Sequence, residues 1–89
     1  MKFTIVGEWY HVEDLASTFV VIAEGKTYAE AVANSAEAVL ERFPQRAEGE
    51  DGETPETLWG GDNGAYVVAA FEGDLSAQAI DRDTFELIA

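Results

Sequence analysis

TYAEAVANSAEAVLERF, residues 27–43, is the stretch that decides how this chain folds. Thr27 and Glu30 have the spacing of a capping box, in which the hydroxyl and the carboxylate each satisfy an N–H left without a partner at a helix start. Apolar residues then fall at Ala29, Val32, Ala33, Ala36, Val39, Leu40 and Phe43. That is the i, i+3, i+4, i+7 spacing of one buried helix face. Pro44 cannot continue the hydrogen-bond ladder. The segment therefore predicts an amphipathic helix over 28–43. Its apolar face starts with alanine and finishes with Leu40 and Phe43, so close packing on a sheet is expected at the amino end and a wider separation at the other.

The sequence on either side supplies the sheet. KFTIV (2–6) and STFVVIAE (17–24) are β-branched and aromatic, and the second is apolar enough for a buried strand. A modest connection between them makes an antiparallel pair the simplest arrangement. GEWYHVED (7–14) either prolongs the first strand or forms a loop carrying Trp9 and Tyr10. After the helix, residues 44–57 are broken by Gly49, Gly52 and Pro55 and read as loop. GGDNG (60–64) is turn chemistry between two strand-like runs, which predicts a hairpin of 57–60 with 65–72. AYVVAAF (65–71) is apolar on both faces, the mark of a central strand. Residues 75–80 fit a helical turn or a strand, and DTFELIA (83–89) reads as a last strand. The expected fold class is α+β: a single antiparallel sheet of about four to five strands in the order ββαββ(β), with one helix on one face, forming one domain over 1–89.

The 89 residues carry 18 acidic and five basic side chains, a formal net charge of −13. With 47% hydrophobic and 11% aromatic residues, the composition is too apolar for a disordered acidic tail, so the charge belongs to a folded surface. Such a surface repels nucleic acid and anionic membrane and attracts basic partners, above all proteins built to hold nucleic acid. Solubility alone needs only about 2–8 charges on a small domain. Halophilic solvation is the other plain explanation, but Glu outnumbers Asp, twelve to six, whereas halophilic surfaces lean on Asp. There is no cysteine, which excludes disulfides, thiolate metal ligands and a cysteine nucleophile. The opening MKFTIVGEWYHVED turns acidic too soon for a signal peptide, and no apolar run reaches the length of a membrane span. The expected compartment is the cytoplasm.

Catalytic chemistry finds little support. His11 is the single histidine. Glu13 and Asp14 are near enough in sequence to orient it, yet no nucleophile motif completes a triad, and a loop histidine is the simpler reading. Paired carboxylates are plentiful, but glycosidase chemistry needs two acids facing each other across a cleft. EGEDGETPE (48–56) resembles a calcium loop in composition only, without the EF-hand order of ligands. Phosphate-binding glycine loops are absent. No enzyme activity, cofactor or metal is expected.

The acidic residues do fall in a pattern. Glu30, Glu37 and Glu41 lie opposite the apolar stripe, spaced about 10 Å and about 6 Å along the axis at a helical rise of about 1.5 Å per residue. The second spacing is close to that of successive phosphates on a nucleic-acid strand. No basic residue follows on the helix until Arg42, and Glu48, Glu50, Asp51, Glu53 and Glu56 extend the row. Ordinary solvated helix faces interleave acids with bases. These eight carboxylates are the candidate partner-binding residues, with Trp9 and Tyr10 as candidate apolar anchors.

Two resemblances follow from these residues. Thr27, Glu30, Ala31, Asn34, Ser35, Glu37 and Ala38 fit the helix pattern T-x-x-E-A-x-x-N-A-x-E-A-x of HicB-like antitoxins. With the preceding strand pair the resemblance covers about the first half of the chain; it implies neutralisation of a small ribonuclease toxin. As a class, a small acidic α+β domain without catalytic motifs resembles phage anti-CRISPR proteins and related DNA mimics. That resemblance implies a basic nucleic-acid-binding protein or complex, such as a CRISPR effector, as partner, with no direct contact to nucleic acid or membrane. An acidic halophilic or phage structural protein is the third possibility.

Overall fold

A computed structural model of the chain describes residues 1–10, 18–49, 52–61, 64–75 and 86–88. The elements are β1 (Lys2–Trp9), β2 (Thr18–Glu24), α1 (Tyr28–Arg42), a 3₁₀ turn at Pro44–Ala47, β3 (Ala65–Glu72) and β4 (Glu86–Ile88). The fold is α+β, with α1 packed on one face of the sheet. Strand order is β3-β1-β2-β4. β1 pairs antiparallel with β2, from Lys2 opposite Glu24 to Glu8 opposite Thr18, and antiparallel with β3, from Phe3 opposite Glu72 to Trp9 opposite Ala65.

The cap forms at Thr27. Its hydroxyl accepts from the Glu30 N–H at 3.2 Å, while the Glu30 carboxylate accepts from the Lys26 N–H at 3.3 Å. Helix α1 has 15 residues, a length that is marginal for an isolated helix in water, so it depends on the face it buries. That face is Ala31, Ser35, Ala36, Val39 and Leu40, with Val32 half-buried; Ala29 and Ala33, expected inside, are exposed. Ser35 can be buried because its hydroxyl donates to the Val32 carbonyl at 2.7 Å and accepts from the Trp59 indole N–H at 3.2 Å. Asn34 ties the helix to the end of β2 by donating to the Glu24 carbonyl at 2.9 Å.

Beneath the carboxyl half of α1 lies an aromatic cluster. Phe19 packs against Trp9, Trp59 and Phe43 with ring centroids 5.0, 5.9 and 6.1 Å apart. Gly7 makes room for it: a Cβ there would stand 2.5 Å from the Phe19 ring and 2.9 Å from that of Trp59. The register of β1 with β3 shifts at the same place, between Val6 and Gly7, as at a β-bulge.

Three expectations are corrected. The sheet is not wholly antiparallel: β4 runs parallel to β2, with Phe19 opposite Glu86 and Val21 opposite Ile88. Among the described strands β3 is terminal rather than central: it pairs with β1 alone, and its outer edge meets only the turn before it, where Ala65 N–H donates to the Leu58 carbonyl at 2.9 Å. And 57–60 is no hairpin strand. Pro55 suits the first position of a helical turn, Leu58 N–H donates to the Thr54 carbonyl at 2.9 Å, and Thr54 N–H donates to the Thr57 hydroxyl at 2.9 Å. The turn ends at Gly60, whose φ of +98° suits glycine, and its N–H donates to the Ala65 carbonyl at 2.9 Å. The choice between helix and strand at 75–80 and the start of the last strand lie outside the described residues, apart from Leu75.

Candidate functional site

Helix α1 presents its acids as one row. Glu30, Glu37 and Glu41 are exposed and stand on the side opposite the buried residues. Lys26 precedes this row, and the two basic residues that follow it are laid over aromatic rings. Arg42 sits 5.3 Å from the Phe43 ring centroid, and Arg46 sits 4.3 Å from that of Trp9. Each is a cation–π geometry worth about 0.5–1 kcal/mol at an exposed site. Both cations thus stand at the carboxyl end of the helix, where they also suit its dipole, and leave the stretch from Glu30 to Glu41 uniformly anionic.

The expected continuation of the row is only partly present. Glu48 and Glu56 are exposed. Glu50 and Asp51 lie outside the described residues. Glu53 is 8% exposed, so it does not extend the row; its carboxylate packs close beside Gly61, where a Cβ would clash with it, and its backbone N–H donates to the Arg46 carbonyl at 2.8 Å. Glu53 holds the loop rather than facing a partner.

The two aromatic candidates separate. Trp9 is 4% exposed and belongs to the core, against Phe19 and Phe43 under the Arg46 guanidinium. It is no surface anchor, because the strand that begins at Lys2 runs on through residue 9 and alternation turns its ring toward α1. Tyr10 follows the strand and is 50% exposed. Its ring packs on that of Tyr66 with centroids 4.9 Å apart. The Tyr66 hydroxyl is hydrogen-bonded to the Glu8 carboxylate, which raises the phenol above the ordinary tyrosine value; desolvation and the Glu8 charge add to the effect.

Three further residues of β3 join Tyr10 at the surface. Tyr66, Val68 and Phe71 are 38%, 53% and 49% exposed. The apolar run on β3 was expected inside the sheet, and the two large aromatic residues at 66 and 71 give no local sign that their strand is terminal. Val67 and Ala70 pack against the core, so Tyr66 and Phe71 point to the face away from α1.

Among the described residues, no group of three His, Asp or Glu side chains is placed to hold a metal ion, and no helix is long and apolar enough to cross a membrane. His11 lies outside the described residues. No family model matches this chain, and neither a curated protein nor a solved structure matches it.

Proposed function

We propose that this chain is an acidic binding protein that inhibits a nucleic-acid-binding protein or complex by occupying its basic nucleic-acid site, in the manner of anti-CRISPR proteins and other DNA mimics. The observation that carries this reading is the exposed row Glu30, Glu37 and Glu41 on a capped helix, uninterrupted by a basic side chain. A rigid element presents charge at fixed spacing, so little order has to be gained on binding. Attraction to a Lys/Arg-lined groove accelerates encounter and weakens as salt rises.

Glu30 also serves the helix cap, so it is a poor choice for a charge test. Glu37, Glu41 and Glu48 have no such role among the described contacts. The test captures partners from the source host, then asks whether the chain displaces duplex DNA or RNA from the captured protein in a mobility-shift competition. The wild-type chain is expected to displace it. The combined E37K/E41K/E48K variant, with an unchanged circular-dichroism spectrum, is expected to lose at least about tenfold in potency, about 1.4 kcal/mol. Undiminished displacement by that variant sinks the proposal.

A further inference from the structure

The end of β1 and the start of β3 bring two of the chain's three tyrosines together. Glu8 stands directly opposite Tyr66 in the register. Tyr10 follows Glu8 by two residues, on the same face by alternation. Its N–H donates to the Gly64 carbonyl at 3.1 Å, which carries the pairing one residue past Trp9 and Ala65. Tyr66 therefore has a carboxylate and a second phenol as neighbours on one face. The Tyr10 and Tyr66 ring centroids are 4.9 Å apart with 44° between the ring planes, and the residues are 50% and 38% exposed. The Tyr66 hydroxyl donates to the Glu8 carboxylate. Tyr28, the third tyrosine, is 46% exposed and packs edge-on against Phe3 with centroids 6.4 Å apart.

We propose that Tyr10 and Tyr66 form a site of oxidative modification, at which a one-electron oxidant couples the two rings into a dityrosine and joins β1 to β3 covalently. A phenol gives up an electron more easily when its proton can leave at the same time. At Tyr66 the Glu8 carboxylate already holds that proton in a hydrogen bond and takes it as the electron departs, the part of a positioned base. The same hydrogen bond favours the neutral phenol at rest, so the transfer occurs only on oxidation. A second electron leaves Tyr10, and its proton passes to water. The two phenoxyl radicals pair to form one bond between ring carbons ortho to the oxygens. The hydrogens on those two carbons then move, as protons, to the oxygens and restore both aromatic rings. In all, two electrons and two protons are lost. With a haem peroxidase as catalyst, one hydrogen peroxide accepts them and becomes two waters. Coupling within a chain is favoured over coupling between chains, because the partner ring is already in contact and chains of net charge −13 repel one another.

The Glu30–Glu41 row takes no part in this chemistry, so the inference does not depend on the function proposed above. The test treats the full chain, in dilute solution, with peroxidase and hydrogen peroxide. Trypsin places the three tyrosines in separate peptides, 3–26, 27–42 and 47–82. The expected product is a monomer lighter by two hydrogen atoms, with dityrosine fluorescence and with peptide 3–26 linked to 47–82. Y10F and Y66F keep the rings and are each expected to abolish it, whereas Y28F and E37K/E41K/E48K leave it. Glu8→Gln is expected to slow coupling about tenfold or more, while nuclear Overhauser contacts between the two rings persist. Links made mainly through Tyr28, covalent dimers as the main product, or an equal yield from the chain unfolded in urea overturn the inference. Coupling of the Glu8→Gln variant at the wild-type rate overturns the role given to Glu8.

Discussion

Thr4 shows how much one polar side chain does on the face away from α1. It is buried on β1, and its hydroxyl donates to the Gly73 carbonyl at 2.8 Å and accepts from the Leu75 N–H at 2.9 Å. With the Gly73 N–H donating to the Lys2 carbonyl at 2.7 Å, it fastens the chain as it leaves β3. Thr4→Val keeps the shape and strands a backbone donor and acceptor, so urea unfolding is expected to show a loss of about 1–3 kcal/mol. Thr4→Ser keeps the hydroxyl and should recover most of the loss. The sequence shows Thr4 only as a polar residue in an apolar run. Its partners are 69 and 71 positions away, and no local pattern announces them. Trp9 and Glu53 are similar cases. Both were candidates for a surface on composition, and both are buried by contacts made across the fold.

At the scale of the element, α1 is where sequence and structure agree most closely. A capping residue, an apolar stripe and a terminating proline are all local signals, and they fix a helix wherever it packs. Thr27→Ala is expected to cost about 0.5–2 kcal/mol by urea unfolding, with little change in the circular-dichroism spectrum at low denaturant. The details of the buried face were less legible. Ala29 and Ala33 fit the periodicity as well as Ala31 does, but α1 is rotated so that Ser35 meets the Trp59 indole. A serine that satisfies its own hydroxyl within the helix can serve as a core residue, and hydrophobicity alone ranks it as a surface one. The strand β3 was legible as a strand, with the limits 65–72, and not as an edge. A run apolar on both sides describes a strand covered on both faces, and equally a strand with one face left exposed.

For the whole molecule the governing quantity is charge density. The Cα extents are 36 × 29 × 18 Å, and the Debye length falls from roughly 30 Å at 0.01 M salt to about 8 Å at 0.15 M. At low ionic strength, carboxylates on opposite faces repel one another through the thin dimension. The unfolding midpoint in urea is therefore expected to rise between about 0.01 and 0.2 M sodium chloride and then level off. A chain that folds only in molar salt, with stability still climbing there, would point to halophilic solvation as the origin of the acidity. The same screening governs the acidic row on α1, so association through it is expected to slow with salt.

By itself the sequence determined the capped helix, the strand-forming runs, the α+β class and a net charge of −13. These follow from spacing, capping chemistry and composition, which act over a few residues or over the chain as a sum. The tertiary structure alone decided that β1 is central, that β4 enters parallel to β2, that Trp9 and Glu53 are interior, and that Tyr66 and Phe71 face outward. The order of strands depends on which edges pair, and exposure depends on what packs across the sheet. Both are set by contacts between residues far apart in the chain.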